Sequence, residues 1–422
     1  SQHIISVQNQ LNSTSLDFLL DTNERLERHE AFLGWVDTAL DIRQESGPRR
    51  DLYLRAVQSA DAWGEAERAL NYFDAAELDF PDDLEIRRRH VMLAREAGIV
   101  DALSASLAGL ILCTDDADER ASARMERARL LATTEGMEED AIQQVRDHLH
   151  DSPTDRSAQE LLVDLQGRVE AHDDLVESLK LLRAMLDEEE QDTATDMALR
   201  IARIYRSDLE IPEESVGWYA RVTAAQHDHP GALPDLEAML KGEVCSTEVY
   251  ELLDVSYERS ESALDRVRIR EIRAEQVDQP DARITLFREA SQMSQESLGD
   301  ISRALNALME VMAIQPDNSD TRRSCRSLAE QDGLYSVYAE KLLQVSEEAV
   351  EARLRAELLR DRAELLLGPL EALDGGFEAL NQALEVYPQD QIAQQRLDDL
   401  YCEHARFEDL SELLELRSNH AS

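Results

Sequence analysis

The sequence predicts an all-α protein built from repeated helix pairs. The chain of 422 residues contains only 15 Gly and 10 Pro, and it is rich in Ala, Leu, Glu, Arg and Gln, which favour helices over strands. Apolar residues recur at three- and four-residue spacing, which is the pattern of a helix with one apolar face. A proline also closes an apolar helix at five places of similar sequence. Composition, periodicity and recurrence therefore all predict stacked helices.

The closing prolines define a repeat of about 70 residues. They lie in the segments DFPDD, DSPTD, DHPGA, IQPDN and VYPQD, at Pro81, Pro153, Pro230, Pro316 and Pro388. The intervals between them are 72, 77, 86 and 72 residues, and a recurring period of this kind indicates a repeat architecture. One helix pair cannot bury both of its faces, whereas a stack of pairs can. The sequence therefore predicts an α-solenoid.

The segment before each proline has a common pattern. In GEAERALNYFDAAELDFP, residues 64–81, Gly64 lies in the turn before the helix, and Ala69 and Ala76 let a neighbouring helix approach closely. Phe73 adds apolar mass between the two alanines, and Pro81 ends the helix because it has no N–H to donate. The other four copies keep part of this pattern at Gly136 and Ala141; at Gly299, Ala304 and Leu308; at Gly376, Leu380 and Ala383; and at Ala225. In the copy before Pro230, Trp218 stands where a small residue is expected, so we expect a lengthened turn there.

A second, looser helix pair follows each proline, so each unit is expected to contain four helices. Acidic linkers separate the units, and negative charge favours the N-terminus of the helix that follows. The expected segments are a partial unit at 1–47, full units at 48–115, 116–188, 189–257 (degenerate), 258–345 and 346–417, and a tail at 418–422. The first segment resembles the second half of a unit, so the array is expected to start in mid-unit.

The charge balance argues against several classes of partner. The chain carries 44 Lys and Arg against 89 Asp and Glu, a net charge of −45, and such a surface repels a phosphate backbone. No apolar run approaches the ~20 residues that a bilayer crossing needs. We therefore expect a soluble protein with no nucleic-acid partner and no membrane insertion. No signal-peptide pattern is visible, and a reducing, cytoplasmic compartment is expected.

The sequence contains no pattern that favours catalysis. GxSxG, SxxK and phosphate-binding glycine motifs do not occur in the strand-turn-helix context that they require. The cysteines Cys113, Cys245, Cys325 and Cys402 form no CxxC pair, so we interpret them as small buried hydrophobes. The aromatic residues Trp35, Trp63, Trp218, Tyr53, Tyr205 and Tyr219 lie beside apolar positions and are expected to pack between helices.

Two histidine pairs and two acidic clusters also have structural explanations. In the pairs His148/His150 and His227/His229 the two side chains are two residues apart and do not share a helix face, and imidazole near a helix C-terminus is favourable in its own right. The acidic clusters at 115–119 and 187–190 lack the turn glycine of a calcium loop. We therefore expect no enzyme activity, no metal and no cofactor.

The closing-proline pattern resembles the tetratricopeptide repeat. That pattern has a Gly in the inter-helix turn, small residues on both helices, an aromatic on the second helix and a closing Pro. It is matched by Gly64, Ala69, Phe73, Ala76 and Pro81, and again by Gly299, Ala304, Leu308 and Pro316. The resemblance covers roughly half of the chain, and the double unit looks like the arrays of large bacterial repeat proteins. It implies a right-handed superhelical solenoid.

The resemblance also implies a binding surface. In this family the first helix of each pair lines a concave groove that binds peptides or protein segments. Counting back from the closing prolines places nine residues there: Asp51, Leu54, Gln58 and Asp61; Glu126 and Leu130; Glu289, Met293 and Glu296. Family members that grip a terminal carboxylate use Lys, Arg and Asn at these places, so this sequence departs from the pattern. Carboxylates predict a basic or mixed segment, and ordinary solvated surface is the alternative.

The sequence therefore predicts a non-catalytic scaffold that binds a partner protein or peptide along an acidic concave groove. Two alternatives stay open. The first is a regulatory or substrate-docking array of a larger enzyme or signalling protein whose catalytic domain lies outside this chain. The second is a structural subunit of a cell-surface or extracellular assembly. Neither the partner nor the oligomeric state follows from the sequence.

Overall fold

The computed structural model describes residues 13–43 and 45–404, together with residues 406, 410, 411 and 414. Over these residues the regular structure consists of 22 α-helices, a 3-10 turn at Glu188–Glu190 and a π turn at Ser294–Leu298, with no strand. The all-α prediction is confirmed. The predicted tail at 418–422 lies outside the described residues.

The helices fall into two compact bodies, which divide between Glu190 and Gln191. The N-terminal body contains α1 (Ser13–Arg25), α2 (His29–Ile42), α3 (Ser46–Ala62), α4 (Ala66–Asp79), α5 (Leu84–Ala97), α6 (Val100–Cys113), α7 (Ala117–Ala132), α8 (Glu138–Asp151), α9 (Arg156–Arg168) and α10 (His172–Ala184). The C-terminal body contains α11 (Gln191–Ser207), α12 (Pro212–Ala225), α13 (Ala232–Lys241), α14 (Ser246–Arg259), α15 (Ala263–Gln276), α16 (Pro280–Met293), α17 (Ile301–Ile314), α18 (Ser319–Asp332), α19 (Tyr335–Glu348), α20 (Ala352–Leu367), α21 (Leu373–Val386) and α22 (Gln391–Glu403).

Consecutive helices pack against each other, and hydrogen bonds between charged side chains join helices that are two apart in sequence. In the N-terminal body Arg95 of α5 binds Glu126 of α7, and Arg146 of α8 binds Asp174 of α10. The odd-numbered helices α1, α3, α5, α7 and α9 therefore form one layer, which we call the first-helix layer. The even-numbered helices α2, α4, α6, α8 and α10 form the second-helix layer. This two-layer stack of helix pairs is the solenoid organisation that the repeat predicts.

Each pair in the N-terminal body turns on a residue with positive φ, a conformation that Gly adopts at low cost. These residues are Glu27, Gly64, Gly98, Gly136 and Glu170. The same spacing, 34 residues, separates Gly64 from Gly98 and Gly136 from Glu170. Each repeat of about 70 residues therefore consists of two helix pairs that share one turn geometry.

The segment after the closing proline carries a helix-capping signal in addition to the predicted repeat pattern. Four of the five prolines lie two residues before an Asp or Asn whose side chain accepts hydrogen bonds from two backbone N–H groups of the next helix, which satisfies donors that would otherwise lack partners. These N-terminal caps are Asp83, Asp155, Asn318 and Asp390. After Pro230 no such residue follows, and His229 Nδ1 instead accepts from the N–H groups of Gly231 and Ala232 at 3.1 and 3.3 Å.

The 86-residue interval before Pro316 contains one extra helix. Four helices separate successive closing prolines in the other three intervals, whereas five, α13 to α17, lie between Pro230 and Pro316. The expectation of four helices per unit is therefore wrong for this interval. The turn that was expected to be lengthened before Pro230, residues 208–211 between α11 and α12, is one residue longer than the α3–α4 turn, residues 63–65.

The extra helix exchanges the layers within the C-terminal body. Ion pairs join α11 to α13 (Arg203 to Asp235), α13 to α15 (Arg268 to Glu237) and α15 to α17 (Arg303 to Glu271), so the odd-numbered helices lie side by side. The proline-closed pair α11/α12 begins in this layer, whereas the pair α16/α17 begins in the other one. The predicted bounds at 257/258 and 345/346 fall inside α14 and α19. The division of the chain into repeat units stays a prediction.

The small and aromatic positions of the repeat are buried as predicted. Ala69 and Ala76 are completely buried and Phe73 is 2% exposed. Gly376 shows how close the helices come, because a Cβ atom there would lie 2.3 Å from a methyl carbon of Leu367 on the preceding helix. Tyr53, Tyr205, Trp218 and Tyr219 are buried, and Trp35 and Trp63 are half-buried against the core.

The interpretation of the cysteines is right for only one of the four. Cys325 is buried, and burial raises the pKa of its thiol to about 12. Cys113 and Cys245 are half-buried and Cys402 is exposed. Cys113 is the last residue of α6, and Cys245 is the N-cap of α14, so neither position lies on a fully packed helix face.

We expect Gly64→Ala to destabilise the N-terminal body by about 1 kcal/mol, because Gly64 has a φ of 79° that an L side chain adopts only with strain. The matched control is Gly217→Ala on the exposed face of α12, where an added Cβ meets no atom within 4 Å. The control should stabilise by about 0.5–1 kcal/mol through helix propensity. Thermal unfolding followed by circular dichroism measures both; equal shifts of the two variants would contradict the role of the turn.

Candidate partner-binding surfaces

The predicted groove residues of α3 present a polar surface to solvent. Asp51, Gln58 and Asp61 are exposed, and they form no side-chain hydrogen bond or ion pair with the described residues. Leu54 lies between them in sequence and is half-buried against the core. The helical spacing of the four residues places them along one side of α3. The exposed side of α3 is thus polar and still able to bind.

The predicted residues of α7 are already occupied. Glu126 accepts hydrogen bonds from Arg95 of α5 at 2.8 and 2.7 Å. Leu130 packs against the core and is half-buried. Glu126 is therefore part of the contact between two neighbouring helices, in addition to any role toward a partner.

The predicted residues of α16 lie in the C-terminal body, in the layer opposite α11. Glu289 accepts a hydrogen bond from Arg270 at 3.0 Å, and Met293 packs against the core. Glu296 is exposed in the π turn that follows α16 and accepts from Gln292 at 3.1 Å. These residues therefore belong to a different body and a different local setting from those of α3 and α7.

Arginine–carboxylate pairs join the helices of the first-helix layer; we call Arg50, Arg55, Arg88 and Arg95 the arginine ladder. Arg55 of α3 reaches back to α1, where it binds Glu24 at 2.9 Å and Asp21 at 2.6 Å. Arg50 of α3 reaches forward to Asp83 and Glu85, at the start of α5.

Arg88 and Arg95 continue the ladder from α5 to α7. Arg88 binds Glu119 in a bidentate manner at 2.7 and 2.9 Å, and Arg95 binds Glu126 in the same way. Bidentate pairs of this kind fix geometry as well as charge. The ladder therefore holds α1, α3, α5 and α7 in register along their solvent-facing side.

The ladder changes the acidity of its carboxylates. The hydrogen bond from Arg50 lowers the pKa of Asp83, and the hydrogen bonds from Arg88 and Thr114 lower the pKa of Glu119. A lowered pKa means that the ionised form is favoured in the folded state. These pairs therefore stay charged well into the acidic range.

A cleft of about 710 Å³ lies on the other side of the N-terminal body, between α2 and α4 of the second-helix layer. Arg49 and Tyr53 of α3 form its base. On α2 it is lined by Glu30, Leu33, Gly34, Asp37, Leu40 and Asp41, and on α4 by Arg68, Asn71, Tyr72 and Ala75. We call it the α2–α4 cleft.

Hydrogen bonds fix the base of the cleft. Arg49 donates to Asp79 at 3.1 Å, to Arg43 O at 2.9 Å and to Leu40 O, so it holds the C-terminal end of α2. Tyr53 also donates to Asp79, at 2.8 Å. The guanidinium of Arg49 is thus fully engaged.

Further contacts fix the walls. Tyr72 donates to Asp37 at 2.8 Å, and burial together with this carboxylate raises the pKa of Tyr72. Arg68 binds Glu30 at 2.8 Å and Glu65 at 3.0 Å. Sequence reasoning missed this cleft, although Glu30, Asp37 and Asp41 share one face of α2, because it requires knowing that α4 is the neighbour of α2.

One histidine of each pair and one acidic residue of each cluster make structural contacts. His148 is buried, with Nε2 2.8 Å from Asp155, and His229 caps α13. Asp116 caps α7, and Glu190 binds Arg156. Among the described residues no group of three His, Cys, Asp or Glu is placed to hold a metal ion. In the same residues no helix is both long and apolar enough to cross a bilayer.

We expect the stability contributed by the arginine ladder to be lost in acid. Because the folded-state pKa values of Asp83 and Glu119 are lowered, this contribution is complete above the ordinary carboxyl pKa of about 4 and disappears as the pH falls through the folded-state values. The double variant Arg50→Met, Arg88→Met should lower Tm by about 2 °C at pH 7 and by much less at pH 3.

The control for this experiment is Arg323→Met. Arg323 pairs with Asp320 on an exposed surface, where the two side chains are 76% and 80% exposed, so its loss should change Tm little at either pH. A deficit of the double variant that is the same at pH 7 and pH 3 would contradict the ladder as a charge-dependent contact.

Comparisons with known proteins give structural likeness only. No protein-family model matches the chain, and no curated protein matches it. Among solved structures, the chain is similar to the MamA protein, with 12% identity over 42% of this chain and 91% of that chain, and a TM-score of 0.27. It is also similar to the TPR domain of P58(IPK), with 14% identity over 93% and 98% of the two chains and a TM-score of 0.21. It is also similar to yeast Tom70, with 12% identity over 96% of this chain and 91% of that chain, and a TM-score of 0.20. The chain's own helix pairs, with left-handed turns, buried small residues and closing prolines, are those of a TPR-like helical repeat.

Proposed function

We propose that the chain is a non-catalytic protein-interaction module that binds a basic partner segment on the first-helix layer of its N-terminal body. The observation that carries this proposal is the arginine ladder. It joins α1, α3, α5 and α7 while Asp51, Gln58 and Asp61 of α3 stay exposed and without partners among the described residues. A preformed surface with unsatisfied polar groups binds at a low cost in conformational entropy.

Charge supports a basic partner. The chain has a net charge of −45, and a strongly negative surface attracts and orients positively charged partners during diffusion. Arg49, Arg50 and Arg55, the cations nearest to Asp51 in sequence, are all occupied by carboxylates of neighbouring helices. The potential along α3 is therefore dominated by Asp51 and Asp61.

Size supports a protein rather than a small molecule. Neighbouring helix axes lie ~8–10 Å apart, so four joined helices offer a continuous face of about 30 Å across. A protein interface of standard size buries about 1,600 Å² in total, which this face can supply. A helix or an extended segment of a partner fits such a surface.

We expect the double variant Asp51→Asn, Asp61→Asn to weaken binding of a captured partner by about tenfold. The partner is first recovered with the full chain from native lysate at 150 mM salt and identified by mass spectrometry. The purified partner is then titrated against wild type and variant at 50 and 300 mM salt. The variant should also show the smaller salt dependence, because two carboxylates no longer contribute.

The matched control is Asp101→Asn, Glu139→Gln, which removes two exposed carboxylates from α6 and α8 of the second-helix layer. It changes the net charge equally and should leave the affinity nearly unchanged. If the two double variants weaken binding to the same extent, the attraction depends on total charge and the α3 surface is not the site.

A further inference from the structure

We propose that the α2–α4 cleft is a second docking surface, which holds an extended partner segment with two basic residues in the spacing Lys/Arg-x-Lys/Arg. The cleft lies in the second-helix layer, whereas the surface of α3 described above lies in the first-helix layer. The two sites use different residues, so either can fail without the other.

The shape of the cleft fits an extended chain. The lining of α2 runs from Glu30 to Asp41, which is about 16 Å at 1.5 Å per residue. An extended segment rises about 3.3 Å per residue, so about five residues fit. Gly34 lies midway along this wall, and a Cβ atom added there would meet nothing within 4 Å. The absence of a side chain at Gly34 therefore leaves the middle of the cleft open.

The walls of the cleft carry apolar as well as polar residues. Leu33 and Leu40 of α2 are buried, with 5% and 8% exposure, and Ala75 of α4 is half-buried beside them. Asn71 of α4 is exposed on the opposite wall and has no hydrogen-bond partner among the described residues. An amide can both donate to and accept from the backbone of an extended segment. Apolar contact together with an amide that has no partner is typical of a peptide site.

The charges that remain available in the cleft are negative. Its two cations are already bound, Arg49 to Asp79 and Arg68 to Glu30 and Glu65. Asp41 has no partner within the described part of the chain, and Asp37 accepts a single hydrogen bond, from Tyr72. A carboxylate accepts several hydrogen bonds, so both residues can bind a cation.

The spacing of these two carboxylates defines the ligand. Asp37 and Asp41 are one helical turn apart, about 6 Å along α2. In an extended chain alternate side chains point the same way and are about 6.6 Å apart. Two basic residues separated by one residue therefore match the two carboxylates, whereas two adjacent basic residues point to opposite sides. This geometry selects two alternate basic residues over two adjacent ones or a single cation.

The cleft is preformed in the protein. Arg49 holds the C-terminal end of α2, and both Arg49 and Tyr53 donate hydrogen bonds to Asp79. Tyr72 of α4 donates to Asp37 of α2. These contacts involve no ligand atoms, so the walls keep their separation when the cleft is empty. A preformed site binds without the conformational cost of ordering loops.

The test uses the full chain and two fluorescein-labelled eight-residue peptides of Ala, Ser and two Lys. In the first peptide the lysines are separated by one residue, and in the second they are adjacent. Fluorescence anisotropy at 150 mM salt should give at least about fivefold tighter binding of the first peptide. Equal affinity of the two peptides, or spermine binding as tightly as the first peptide, would overturn the proposal, because the attraction would then be that of net charge alone.

Variants locate the binding to the cleft. Gly34→Gln places a side chain in the open middle, where its Cβ meets no atom within 4 Å, and it should weaken binding of the first peptide by about tenfold while the protein stays folded. Gly217→Gln on the exposed face of α12 is the matched control and should bind as wild type does. Asp37→Asn with Asp41→Asn should remove the preference between the two peptides.

Zero-length carbodiimide crosslinking provides a second readout. It should join the peptide lysines to Asp37 and Asp41, as mapped by mass spectrometry. Crosslinks confined to other carboxylates, or unchanged affinity of the Gly34→Gln variant, would overturn the proposal. The double variant Asp51→Asn, Asp61→Asn should bind the first peptide normally, which separates failure of this site from failure of the α3 surface.

Discussion

The fold depends on a left-handed residue in the turn of each helix pair. Without it the second helix could not fold back on the first, and the buried alanines at positions such as Ala69 and Ala76 could not meet a neighbour. Glycine occupies this position at Gly64 and Gly136, but glutamate occupies it at Glu170 and Glu210. Packing of the pair thus overrides local preference at half of these turns, as expected when tertiary contacts outweigh a strain of about 1 kcal/mol.

The repeat pattern explains how much of the fold can be predicted from the sequence. Small residues at three- and four-residue spacing and a closing proline imply helices, pairs and stacking, since each depends only on neighbours within one helix pair. The helix caps at Asp83 and Asp155 were equally local, and the Pro-x-Asp signal was present in the sequence. The extra helix was different. Its segment has ordinary helical composition, and only the long interval before Pro316 indicated it.

The candidate sites were less predictable because they depend on contacts between different helices. Nothing local to Glu126 or Glu289 reveals that an arginine about 20 to 30 residues earlier binds each of them. Counting charges alone therefore overstates the free negative potential of the first-helix layer. The α2–α4 cleft has the same origin. Its α2 face is visible in the spacing of Asp37 and Asp41, but its α4 wall and the anchoring of Arg49 exist only once the pairs have stacked.

The single added helix in the C-terminal body has a consequence for how such arrays can change. In a stack of helix pairs successive helices alternate between two layers. Gaining or losing a whole pair therefore preserves which helices occupy each layer. A single added helix instead exchanges the layers of the helices that follow it. From α14 onward the helices that open a pair occupy the layer that earlier held the helices that close one. Residues that would line a single face in an in-frame array are thus divided between two faces, and one chain can present two chemically different surfaces from one repeated pattern.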